Sequence, residues 1–126
     1  MLHILFISSD KYLKSVLETC FDDFKEVKLK HTVLADEALL LITEKPYDLV
    51  ITDERLPDMT GLEFIRKMIQ KNPMINSAVV SSMDSEKFHE ESEGLGVLMQ
   101  IPVRPRKKDI EKLLKQMAEI TRISAL

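Results

Sequence analysis

The sequence predicts an α/β domain built on a mostly parallel sheet with helices on both faces. Short apolar runs alternate with stretches of helical periodicity five times along the 126 residues, which is the pattern of repeated strand–helix crossovers. Right-handed crossovers distribute such helices over both faces of one sheet. The ends of three strands also turn polar on the same side, at Ser8-Ser9-Asp10, Asp53 and Ser81-Ser82. Ligands and chemistry collect at that carboxyl edge in open α/β sheets.

Each element has its own signal. Leu2 to Ile7, LHILFI, is short and apolar enough for a buried strand, β1. Ser8, Ser9 or Asp10 can cap the next helix, α1, expected from Lys11 to Asp22 because Leu13, Val16, Leu17 and Cys20 recur at helical spacing. Glu26 to His31 alternates Val27 and Leu29 with Lys28 and Lys30, which predicts an edge or half-exposed strand, β2. A helix from Leu34 to Glu44, α2, follows through Ala38, Leu41 and Ile42. Leu49 to Asp53 is the central strand, β3.

From Gly61 the residues Leu62, Phe64, Ile65, Met68 and Ile69 predict α3, with Pro73 beyond it. Ser77 to Ser82 carries Ala78-Val79-Val80 as β4. Residues 84–94 form a weak, acidic helix signal, α4, anchored mainly by Phe88. Val97 to Ile101 is β5, punctuated by Pro102 and Pro105. The last helix, α5, is expected from Lys107 to about Arg122, with Ile110, Leu113, Leu114, Met117 and Ile120 on one face.

Length and composition narrow the classes. A chain of 126 residues is expected to form one domain, residues 1–126, burying about two thirds of its unfolded surface. A net charge of −3 argues against a dedicated nucleic-acid binder. No apolar run reaches the ~18 residues of a membrane span, and the N-terminus carries no secretory signal pattern. The lone Cys20 has no internal disulfide partner, so a reducing, cytoplasmic setting is expected. With only three glycines, the phosphate wrap of a flavin or nucleotide site lacks its raw material.

The stretch from Tyr47 to Gly61, YDLVITDERLPDMTG, organises the rest. An apolar strand ends abruptly in Asp53, followed by a loop closed by Pro57 and Gly61. These residues resemble the response-regulator receiver domain of two-component signalling, whose motif "PDLVLLD" is similar to Pro46 through Asp53. Pro57 and Gly61 fall at the family's spacings, and β4 ends in Ser81 with Gly96 beyond it. The resemblance covers essentially the whole chain. It implies a flavodoxin-like three-layer sandwich with five parallel strands in the order 2-1-3-4-5.

By position, the resemblance makes Asp53 the phosphoacceptor, Ser81 the hydroxyl that senses the phosphoryl and Gln100 the residue at the switch aromatic of β5. A carboxylate attacks another anion poorly unless a hard cation bridges the two. The family therefore sets an acidic pair after β1, and a lysine after β5. Here Ser8 and Ser9 occupy the acidic-pair positions, and Asp10 lies one residue later. The lysine position falls on Val103, or on Arg104 if β5 shifts by one residue. The implied metal ligands are Asp10, Asp53 and the Arg55 backbone, giving a weakened Mg²⁺ site. Two charges near 4 Å interact by roughly 4 kcal/mol at an effective dielectric of 20, so exchanging two carboxylates for hydroxyls costs on the order of several powers of ten in Mg²⁺ affinity.

Two functions are expected from different classes. One is a stand-alone receiver domain, a signalling domain rather than a turnover enzyme, that accepts a phosphoryl at Asp53 from a histidine kinase or phosphotransfer protein in an atypical pocket. The other is a phosphorylation-independent interaction module. In either, a partner protein or a second copy of the chain docks on the α4-β5-α5 face. The basic run Arg104, Arg106, Lys107 and Lys108 is expected to pair with the acidic segment 84–93.

Overall fold

A computed structural model describes residues 1–125. The elements run β1 (Leu2–Ile7), α1 (Lys11–Asp22), β2 (Val27–Thr32), α2 (Ala35–Glu44), β3 (Leu49–Asp53), α3 (Gly61–Lys71), β4 (Asn76–Val80), α4 (Ser85–Ser92), β5 (Val97–Ile101) and α5 (Lys107–Ala125). The strands form one parallel sheet in the order β2-β1-β3-β4-β5. β2 is thus an edge strand, as its alternating lysines predict, and Lys28 and Lys30 keep that edge charged and unattractive to further strands.

Alternation along the strands divides the core in two. Leu5, Ile7, Val50 and Val79 pack with Ala35, Ala38, Ile42, Phe64, Ile65 and Met68 on the α2 and α3 side. Their neighbours Ile4, Phe6, Leu49, Ile51, Ala78 and Val80 pack with Leu13, Leu17, Phe21, Ile110, Leu113 and Met117 on the α1 and α5 side. Strands buried on both faces read as continuous apolar runs, and β1 and β3 do so because they lie at the centre.

Element boundaries differ from the sequence expectations in small ways with local causes. β2 runs one residue later than expected, from Val27 to Thr32, with the Val27 amide still bonded to the Phe24 carbonyl of the preceding turn. α2 begins at Ala35, since Leu34 is extended at the cap position. β4 ends at Val80, so Ser81 and Ser82 stand past its end, and α4 spans only Ser85–Ser92 around the buried Phe88. α5 continues to Ala125, beyond the expected Arg122. In β5, Ser77 pairs with Val97 and Ala78 with Met99, which leaves Leu98 as an extra residue in the ladder.

The basic run after β5 does not pair with segment 84–93 as expected. Among the described residues, Lys107 instead lies 3.0 Å from Asp23 at the end of α1. The two groups are exposed, so the pair is worth little.

Candidate functional site around Asp53

The first loop is built by Ser8. Its hydroxyl, 1% exposed, donates to Asp53 Oδ2 at 2.8 Å and accepts from the Asp10 amide at 3.0 Å. Its carbonyl accepts from His31 Nε2 at 2.9 Å, which places the ring proton on Nε2. Asp10 turns the other way: its Oδ1 accepts from the Tyr12 and Leu13 amides and caps α1. The cap expected somewhere in Ser8-Ser9-Asp10 therefore falls on Asp10, and Ser9 is exposed.

Asp53 sits half-buried at the end of β3, with Oδ1 accepting the Glu54 amide at 2.8 Å. Burial pushes its carboxyl above the ordinary value. The Ser8 hydroxyl and Glu54 amide pull it down without cancelling that effect, and the nearby charges of Asp10 and Glu54 push it up again.

The loop after β3 is a tight structure. Leu56 donates to the Met59 carbonyl and Gly61 to the Glu54 carbonyl, forming a small antiparallel bridge between Arg55 and Thr60. Those two bonds flank Arg55 and leave its own carbonyl outside the bridge. A side chain at Gly61 would collide with the Asp53 carbonyl oxygen, so the close approach requires glycine. Thr60 caps α3 through the Glu63 amide. Asp58 reaches across to α2, where its carboxylate accepts the Ala35 and Asp36 amides at 3.0 and 2.9 Å.

On the far side, Ser81 donates its hydroxyl to Glu54 Oε1 at 2.9 Å rather than to Asp53. Gln100 donates from Nε2 to the Met83 carbonyl at 2.6 Å and the Ser81 carbonyl at 3.3 Å. Val103 and Arg104 are both exposed, and no hydrogen bond or ion pair joins either to Asp53 among the described residues. Glu54 and Met83 line a groove of about 520 Å³ between α3 and α4, with Arg55, Leu62 and Arg66 among its walls.

The fold thus brings Ser8, Asp10, Asp53, Glu54 and Ser81 to one edge, but it engages them with one another. Among the described residues, no three His, Cys, Asp or Glu side chains are grouped to hold a metal ion. The donor set does not fit a hard divalent cation: Ser8 offers a neutral hydroxyl already turned to Asp53, and the carboxylate of Asp10 serves α1. Glu54, Asp58 and His31 are site residues that the sequence reading did not assign. Glu54 had one available signal, as a second acid directly after Asp53.

A strand-end aspartate on a sheet of this order, with Ser8 and Ser81 in the loops after β1 and β4 at the same edge, is the arrangement of a receiver-type domain. The family model for the response regulator receiver domain matches residues 4–116, and the chain belongs to that family of two-component signalling domains. Over 84 residues it is 29% identical to the hydrogenase transcriptional regulatory protein HoxA of Cupriavidus necator, covering 66% of this chain and 17% of HoxA. It is 37% identical over 49 residues to the response regulator protein PilR of Pseudomonas aeruginosa, covering 39% of this chain and 11% of PilR. The chain thus spans less than a fifth of the length of these curated relatives.

The signal receiver domain of an HD domain-containing protein from Pseudomonas fluorescens superposes with a TM-score of 0.86 at 19% identity, covering 98% of this chain and 91% of that one. The Vibrio cholerae chemotaxis protein CheY4 gives 0.83 at 17% identity, covering 93% and 98%. At these identities the likeness concerns the fold, which is the flavodoxin-like receiver fold with strand order 2-1-3-4-5. Among the described residues no helix is long and apolar enough to cross a membrane.

Proposed function

We propose that this chain is a receiver module of two-component signalling that works as a protein–protein interaction element without metal-dependent phosphorylation of Asp53. The observation that carries this is the closure of the Asp53 carboxylate on the Ser8 hydroxyl and the Glu54 amide, with the Asp10 carboxylate committed to α1. Acyl-phosphate formation brings further negative charge to a carboxylate beside Asp10 and Glu54. Neither Mg²⁺ ligands nor a lysine stand ready to offset it. A partner protein, or a second copy of the chain, docks on the α4-β5-α5 face in this reading.

A second reading keeps Asp53 as phosphoacceptor. Its support is the position at the carboxyl end of β3, where the carboxylate is only half-buried. In that reading the lysine position falls on Val103 or, with a one-residue shift of β5, on Arg104. The weak Mg²⁺ site would then draw on Asp53, Asp10 and the free Arg55 carbonyl, and the donor would be a histidine kinase or phosphotransfer protein.

Intact-protein mass after incubation with acetyl phosphate and Mg²⁺ separates the two, with Asp53→Asn as control. The interaction-module reading expects no adduct. A phosphoryl adduct on the natural sequence that Asp53→Asn lacks overturns it in favour of the second.

A further inference from the structure

The hydroxyl of Ser81 has a single proton, and it is committed to Glu54 Oε1. The same oxygen accepts the Met83 amide at 3.0 Å. Gln100 then holds both carbonyls of that turn, at Ser81 and Met83, from β5. The Ser81 amide is itself bonded to the Ile101 carbonyl. The Ser81 hydroxyl, the Ser81 and Met83 amides and the Ser81 and Met83 carbonyls in the loop after β4 therefore each have a partner already. Ser81 is 3% exposed and Glu54 half-buried, so the bond to the carboxylate is charge-assisted and partly buried.

We propose that Glu54 is a built-in anionic partner for Ser81, and that Glu54, Ser81 and Gln100 form a latch holding the loop between β4 and α4 in one arrangement whatever the state of Asp53. The inference rests on the interaction-module reading and deepens it, because it names what fixes the surface in place of a phosphoryl group. Glu54 contributes a carboxylate on the chain itself at very high effective concentration, so an anion arriving at Asp53 competes with a group that is already bound. Gln100 completes the latch with a planar amide whose two protons match two carbonyl oxygens of one turn. The loop leads directly into α4 at Ser85, so the latch reaches the α4-β5-α5 surface through a few residues of backbone.

Amide hydrogen exchange followed by NMR on the unphosphorylated protein tests this, with Met83 as the reporter because its amide bonds the Ser81 oxygen. Glu54→Ala is expected to speed Met83 exchange by about tenfold or more, as loss of a charge-assisted bond implies. Gln100→Ala is expected to do the same by about fivefold from the other side. Asp53→Asn is expected to leave Met83 within about twofold of the natural chain. Unchanged Met83 exchange in both Glu54→Ala and Gln100→Ala, or an Asp53→Asn effect equal to that of Glu54→Ala, overturns the latch. Neither result bears on acyl-phosphate formation, which the mass measurement reads separately.

Discussion

Ser8 Oγ lies 2.8 Å from Asp53 Oδ2, so the hydroxyl at one of the acidic-pair positions gives its proton to the carboxylate. One neutral donor stabilises a half-buried charge far less than a divalent ion does. Burial accordingly keeps the Asp53 carboxyl above its ordinary value of 3.8.

The sign of this effect sets a pH dependence. A carboxyl with a raised folded-state pKa binds more protons folded than unfolded, so stability falls as pH rises from the ordinary value through the raised one. Asp53 therefore costs stability at neutral pH. Asp53→Asn is expected to be more stable there, because the buried charge is removed. Its advantage disappears as pH falls through the folded-state value. Urea denaturation of both proteins across that window measures it.

Restoring carboxylates at the first loop tests the fit argument directly. The double variant Ser8→Asp/Ser9→Asp is expected to gain Mg²⁺-dependent stabilisation of about 1.4 kcal/mol when Mg²⁺ is tenfold above its Kd. The natural sequence in the same buffer shows no comparable rise in Tm. Thermal scans with and without Mg²⁺, with Ca²⁺ as a second hard cation, distinguish specific binding from a salt effect.

Asp58→Ala removes the only side-chain cap at the start of α2 among the described residues. The expected loss is about 1 kcal/mol, the usual value of a helix N-cap. Slight desolvation pushes the exposed Asp58 carboxyl up, but the Asp36 and Ala35 amides outweigh it and hold the pKa below its ordinary value. The contribution is therefore present above the ordinary value and lost as pH falls through the lowered one. Comparing denaturation midpoints of Asp58→Ala and the natural chain at neutral and acid pH checks both parts.

Gly61→Ala places a methyl against the Asp53 carbonyl and the Thr52 side chain. An expected destabilisation of about 1–3 kcal/mol follows from forced overpacking next to rigid backbone. Chemical denaturation gives the value. A Gly61→Ala protein as stable as the parent would show that the loop after β3 can yield there.

Much of this molecule is written locally. The runs at Leu2–Ile7 and Leu49–Asp53 and the helical spacing of Leu13 and Leu17 gave strands and a helix with their observed bounds, because each depends on neighbours within a few residues. Asp53 was legible as the strand end that matters. The roles of Glu54 and Asp58 were not, since their partners lie 27 and 22–23 residues away in the chain. No local rule connects Leu34, an unsuitable cap by type, to a carboxylate in another loop. The β5 register was ambiguous by counting because a bulge at Leu98 is a property of pairing with β4, not of β5 alone.

The carboxylate that closes α2 also orders events in time. During synthesis, the segment 35–44 leaves the ribosome before residue 58 does, and until then its first amides have no side-chain partner. A helix that short does not persist alone in water. The first turn of α2 is therefore capped only once the loop beyond β3 is in place, which ties that end of the helix to the Asp53 edge.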